Sequence, residues 1–428
     1  MTGPPATQPR LPADPPRTLL VLGGSSPYTL ALVDAMSQRP PWQPGVLRLH
    51  GRDAQALAVV RECAEGLLRE VDWTVEAVDD LHAAVDGVDV VLHQNRYGGL
   101  RWRARDERLA TAMGLPVDET LGPAGLCAAL RTAVGQARYA DALARGAPRA
   151  RVLTLTNPLG VSTALLARCG VETLGLCELP ELTRQEAAAA AGVPAEELAG
   201  CYTGLNHRGF WHHLRNRRGD DLLPVITGRL DAGAARLAGA DSSTVRRLRA
   251  VPDKYHPLLR GKGHLRPGRA AELQRLRQRA LADARHRPDV VPRSLAGRPT
   301  PWYEVVVLPA LRALTGAPHT LVVCQAAADG IAEEHLVELE GKQRSRLPGR
   351  PPPAPVGELL ERLRVHERAV LDAARSPGPV TVRRALALDP TVPPQLVAAA
   401  AAKVLEDFDA WCSEASEGGA PDGRGGGS

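Results

Sequence analysis

The chain holds 428 residues, 44% of them hydrophobic, 24% charged and only 3% aromatic, with a net charge of +5. Length predicts two or three domains at about 100–200 residues each. Aperiodic Gly and Pro exclude a fibrous chain, the lack of any ~18-residue apolar run excludes a membrane helix, and so small a charge does not imply nucleic-acid binding.

Residues 1–16 are Pro-rich, with six prolines before Thr18, and lack the apolar core of a secretory signal. They read as a disordered tail, as does the Gly-, Ser- and acid-rich segment 413–428. Between the tails, strands alternate with helices. LLVLGG is a strand closed by glycines, followed by a helix over 29–37. VLRLHG is a second strand, with a helix over 53–70. WTVEAV, VDVVLHQ and RVLTLTN make three more. This spacing predicts an α/β fold, with a Rossmann-like, doubly wound parallel sheet over 17–170. Beyond about 170 the pattern changes. TLGLCEL and CYTGLNH read as strands flanking an Ala-rich helix near 183–199, and an Arg-rich helical region runs over 241–287. PWYEVVVLPALRAL reads as a helix, HTLVVCQ and HLVELEG as strands, GRPPPAPVG as a linker, and the remainder as mostly helical. The second unit, 171–412, is therefore α+β. Seven cysteines, an odd number with no Cys-x-x-Cys pair, point to reduced thiols and a cytoplasmic protein.

The first strand ends Gly23-Gly24-Ser25-Ser26. A glycine turn into a helix N-terminus aims backbone N–H groups at a phosphate. The strict Gly-x-Gly-x-x-Gly is absent, so a dinucleotide site and an ordinary tight turn both stand. The second strand ends His50-Gly51-Arg52-Asp53. Asp53 suits a ribose hydroxyl and Arg52 a 2′-phosphate, which leaves NAD and NADP both open. Arg96, beside Gly98 and Gly99 at a strand end, suits an anion, and the Asn157 carboxamide suits a sugar hydroxyl. Cys177 and His207, each at a strand end, suit one divalent metal with open positions; core packing is the competing reading for both.

In order, Gly23-Gly24-Ser25-Ser26-Pro27-Tyr28-Thr29, Arg96-Tyr97-Gly98-Gly99-Leu100 with Asp106-Glu107, Glu119-Thr120-Leu121-Gly122-Pro123, Ala129-Leu130-Arg131-Thr132, Asn157-Pro158, Gly175-Leu176-Cys177 and Gly204-Leu205-Asn206-His207 resemble the family 4 glycoside hydrolases. The resemblance spans about 18–345. It implies a tightly bound NAD, a manganese or other divalent ion, and redox-assisted elimination in place of the usual two carboxylates. The sugar hydroxyl at carbon 3 is oxidised, a base takes the proton from carbon 2 while the metal stabilises the enolate, the aglycone leaves, water adds and the hydride returns. By this resemblance Gly23, Gly24 and Ser26 meet the cofactor and Cys177 and His207 the metal; Ser25 in the same turn and Asp53 after the second strand join the cofactor candidates. Arg96, Asn157 and Arg298 meet a small glycoside or sugar phosphate. Tyr255 is the expected base, its pKa lowered by neighbouring Lys254, and Glu178 is placed to protonate the leaving aglycone or to join the metal. The resemblance also implies a homo-oligomer, a dimer or tetramer.

Departures from the family pattern fall mostly on the substrate side. Glu178 stands where Asn or Asp is usual, Ser25 replaces a glycine, Tyr255 lacks the tyrosine pair that follows it, and the strand end Gln325-Ala326-Ala327-Ala328 lacks amides. A dehydrogenase or epimerase on the same scaffold, or a non-catalytic binder of a sugar phosphate or dinucleotide, are the alternatives. From Arg246 to Arg287 there are 13 Lys/Arg against three acids. Leu273, Leu276, Ala280, Leu281 and Ala284 supply an apolar seam that turns those charges outward. Nucleic acid and membrane are not expected partners. So few aromatic residues predict a sugar site built from arginine, amide and metal, without broad aromatic platforms.

Overall fold

The computed structural model describes residues 16–261, 267–341 and 343–417. The first unit runs β1 (Thr18–Leu22), α1 (Thr29–Gln38), β2 (Gly45–His50), α2 (Ala54–Leu67), β3 (Trp73–Ala77), α3 (Leu81–Val85), β4 (Val90–His93), α4 (Gly99–Ala112), α5 (Gly122–Gly146), β5 (Arg151–Thr154), α6 (Leu159–Arg168) and β6 (Thr173–Leu176). Strand order here is β3-β2-β1-β4-β5-β6, every neighbour parallel. Leu19, Leu20, Val21 and Leu22 are all fully buried, because helices cover both faces of such a sheet. This is the doubly wound order in which chain direction reverses between β1 and β4 and opens a crevice beyond the strand C-termini.

The sheet does not stop at residue 170. Beyond β6 come α7 (Leu179–Ala191), β7 (Ala199–Leu205), β8 (Arg208–Arg215), α8 (Leu223–Asp231), α9 (Ser242–Leu248), β9 (Ala250–Pro252), α10 (Arg269–His286), α11 (Leu308–Ala313), β10 (His319–Ala326), β11 (Ala332–Glu340), β12 (Gln343–Arg346), α12 (Ala354–Arg375), α13 (Pro379–Leu388) and α14 (Val397–Glu417). The strand β10 adds antiparallel to β6, and β11, β7, β8 and β9 follow antiparallel, so one continuous sheet joins the two units.

Three sequence expectations change. The helix expected over 183–199 ends at Ala191, because Gly192 adopts φ +74 and Pro194 follows. The helical region expected over 241–287 is three pieces, α9, a short turn at His256–Arg260 and α10, since Pro252, Pro257, Gly261 and Gly268 interrupt it. The tail expected over 413–428 is helical as far as Glu417; residues 1–15 and 418–428 lie outside the described residues. Among the described residues no helix is long and apolar enough to cross a membrane.

The α10 seam forms as its spacing predicts, with Leu273, Ala280, Leu281 and Ala284 buried. Its first turn is capped from α4, where Glu107 accepts from Gly268 N–H at 3.0 Å and Ala270 N–H at 2.9 Å. A carboxylate at the positive end of a helix fixes that end in place. Here it holds α10 beside the crevice.

Candidate active site

A single cavity of about 1960 Å³ lies beyond the C-terminal ends of β1, β2, β4, β5 and β6. Gly23, Ser25, Ser26, Asp53, Arg96, Asn157, Cys177, Glu178, His207, Tyr255 and Arg298 all line it. Of the residues expected to form a site, Gly24 does not. It is buried in the turn, where a Cβ would lie 3.0 Å from that of Leu49, and its N–H donates to the His50 carbonyl at 2.8 Å. Gly24 shapes the loop; it does not present a donor to a ligand.

The two residues expected to hold a metal sit at two strand ends. Cys177 follows β6, buried, with its sulfur 3.9 Å from the Glu178 carboxylate. His207 sits in the two-residue turn joining β7 to β8, at φ +64. A non-glycine residue pays for that left-handed conformation, and such outliers gather at functional sites. Burial pushes the His207 imidazole down to about 3, so it is neutral, the form that binds a cation. Burial and nearby Glu178, Glu334 and Asp253 push the Cys177 thiol up, which keeps its proton until a cation displaces it. A soft thiol, a neutral imidazole and an adjacent carboxylate fit a divalent transition metal with open positions.

Among the described residues, the one group of three His, Cys, Asp or Glu ligand atoms within 4.8 Å of one another lies elsewhere, at Asp106, Cys127 and Asp407. Arg131 already spans it, paired to Asp106 and, at 3.2 Å, to Asp407. A guanidinium supplies the positive charge there.

Tyr255 stacks on His207, ring centroids 4.5 Å apart. Lys254 lies over the same ring at 5.2 Å. Yet the phenol is pushed up, against the sequence expectation, because burial and Asp118, Glu119, Cys177 and Glu178 outweigh the one lysine.

Arg96 and Asn157 meet at a residue that sequence reasoning passed over as a ligand. Glu119 accepts from Asn157 Nδ2 at 3.0 Å and Arg96 Nη2 at 3.4 Å, and also pairs with Arg103. These arginines hold its carboxyl well below the usual range despite burial. The hub leaves an excess of positive charge beside the metal pair. The block Glu119-Thr120-Leu121-Gly122-Pro123 carried the signal; its partners, 23 and 38 positions away, did not announce themselves.

The chain's few aromatic residues gather at the cavity. Tyr28, Tyr97, Trp102, Tyr139, Tyr255, Trp302, Tyr303 and Trp411 line the cavity, eight of the chain's fourteen Phe, Trp and Tyr. Rings so scarce in the chain are thus concentrated around this one cavity. The Arg298 guanidinium packs over Tyr28 at 4.6 Å and Trp302 at 5.0 Å, which fixes its plane at the rim. Trp411 and Glu414 come from α14, part of it expected to be tail. On α10, Arg269, Arg275 and Arg277 face the cavity, so its charges are not all turned to solvent.

Fold and site define a class: a Rossmann-type doubly wound scaffold whose crevice is lined by a cysteine, a histidine and several arginines. More narrowly, residues 19–193 match the model of the family 4 glycosyl hydrolases, so this part of the chain carries the signature of that family. The 6-phospho-alpha-glucosidase 1 of Lacticaseibacillus paracasei is 29% identical over 218 residues, 49% of each chain. The chain thus matches about half the length of its curated relatives. A solved 6-phospho-alpha-glucosidase from gut microorganisms, in complex with NAD and Mn2+, superposes over 96% of this chain and 100% of its own with a TM-score of 0.79 at 22% identity. The 6-phospho-beta glucosidase of Thermotoga maritima, with NAD and glucose-6-phosphate, superposes over 91% and 98% with a TM-score of 0.77 at 21% identity. At these identities the likeness establishes the fold.

Proposed function

We propose that the chain is a dinucleotide- and metal-dependent glycosidase acting on a 6-phosphorylated glucoside or a close relative. The observation that carries this reading is the meeting, in one cavity at the sheet's reversal point, of the Gly23 turn, the Cys177–His207 pair and the Arg96–Glu119–Asn157 hub. When bound, the nicotinamide takes and returns a hydride at sugar carbon 3, and the divalent cation stabilises negative charge on the sugar. Cys177 and His207 hold that cation. Tyr255, stacked on His207, removes the proton from carbon 2. Glu178, one residue from Cys177, gives a proton to the departing aglycone oxygen. Arg96, positioned by Glu119, and Arg298, held between two rings, bind the phosphate, while Asn157 orients a sugar hydroxyl. A homo-oligomer belongs to the same proposal and is read by sedimentation.

The test is turnover of nitrophenyl glucoside 6-phosphates of both anomers. Hydrolysis that requires both dinucleotide and manganese supports the reading. Hydrolysis indifferent to either, or accumulation of reduced dinucleotide without release of nitrophenol, overturns it; the latter marks a sugar dehydrogenase.

A further inference from the structure

We propose that the dinucleotide bound here is the 2′-phosphorylated one, NADP, and that Arg52 selects it. The inference rests on the reading of the cavity as a dinucleotide site and concerns only its adenosine end.

In a sheet of this order the adenosine ribose meets the C-terminal end of β2. An acid there accepts from the 2′-hydroxyl, whereas an arginine there meets a 2′-phosphate. The residue after β2 is Gly51, and no acid can replace it. A Cβ at this position would lie 2.6 Å from the Ser25 hydroxyl, 2.7 Å from its Cβ and 2.8 Å from its backbone nitrogen.

Asp53, the nearest alternative, is committed on both oxygens. One accepts the Ala56 N–H at 3.0 Å as the cap of α2, and the other accepts from Arg277 at 2.6 Å. Asp80 caps α3 through the Ala83 N–H at 2.7 Å. His50 itself is tied to the Val78 carbonyl at 2.9 Å.

What faces the cavity at this corner is Arg52, exposed and hydrogen-bonded to the Tyr139 hydroxyl, with Arg138 nearby; Arg277 and Arg275 from α10 line the same cavity. The Tyr139 hydroxyl also accepts from Arg138 at 2.9 Å. A guanidinium offers the planar fork that a phosphate dianion takes, and a ribose hydroxyl gains little from it. The corner is short of the acceptor that NAD needs and rich in the donors that a 2′-phosphate needs.

The test is calorimetric and needs no turnover. NADP+, NAD+, 2′,5′-ADP and 5′-AMP are titrated into the full chain and into Arg52→Ala, whose fold is checked by circular dichroism. NADP+ should bind the parent about tenfold or more tighter than NAD+, with 2′,5′-ADP ahead of 5′-AMP by a similar factor. Arg52→Ala should erase both gaps by weakening NADP+ and 2′,5′-ADP far more than NAD+ and 5′-AMP. Equal or tighter binding of NAD+ by the parent overturns this inference and leaves the dinucleotide reading standing, as does a preference for NADP+ that survives Arg52→Ala. Absence of binding by all four ligands overturns the dinucleotide reading itself.

Discussion

The His207 imidazole and the Tyr255 ring lie face to face, centroids 4.5 Å apart and planes tilted by 31°. They come from different parts of the chain, a hairpin turn and the N-cap of a short helical turn. The pairing puts a phenol directly beside an expected metal ligand.

Tyr255→Phe keeps the ring and its stacking and removes only the proton acceptor. Turnover should fall by about 10²–10⁴-fold, the range for loss of a positioned acid or base. Manganese and dinucleotide binding should be retained. Steady-state kinetics with parallel calorimetry checks both.

Cys177→Ser and His207→Ala should each weaken manganese binding, His207→Ala the more because no oxygen replaces its nitrogen. Dinucleotide affinity measured without metal should be unchanged in both. Electron paramagnetic resonance of free against bound manganese reads the first, fluorescence titration the second.

Glu119→Gln keeps the shape of the hub and removes its charge. Arg96 and Arg103 then repel one another and Arg96 loses its position. KM for a phosphorylated substrate should rise about tenfold, with a smaller fall in kcat, and stability should drop by about 1–3 kcal/mol. The carboxyl is depressed in the folded state. Its stabilising contribution is therefore present above the unfolded value of about 4.3 and lost as pH falls below it. The gap between parent and variant should narrow on acidification from pH 5 downward, followed by urea unfolding.

Glu334 titrates in the opposite sense. It is buried, bonded to Asn206 and Tyr202 at 2.9 Å each, and shares the Tyr202 hydroxyl with Asp253. Burial and Asp253 push its carboxyl up to about 7. A raised carboxyl holds stability below its unfolded value of about 4.3 and loses it as pH rises through the folded value. Glu334→Gln, which cannot ionise, should gain about 1–3 kcal/mol on the parent between pH 5 and pH 8. Urea unfolding at both ends of that window checks it.

The parallel half of the fold is legible because its strands read as short apolar runs alternating with helices, and the strand ends that carry Gly23, Asp53, Arg96, Asn157 and Cys177 follow from that pattern. The second half is less so. β8 goes unread because the turn before it is Asn206-His207, without the glycine that flags a two-residue hairpin. The same absence forces His207 to φ +64, so the feature that hides the strand is also the one that aims the ligand. Glu119 and the eight cavity aromatics are invisible as a group for a different reason: they converge from α1 through α14, and no local spacing records a meeting made by tertiary packing.

The most direct test of the account runs the reaction in deuterium oxide and examines the released sugar by nuclear magnetic resonance. Proton abstraction by Tyr255 and return from solvent predict deuterium at carbon 2 of the product, in an amount matching turnover. Product formed with carbon 2 still fully protonated would contradict elimination and with it the roles given to Tyr255, Cys177 and His207.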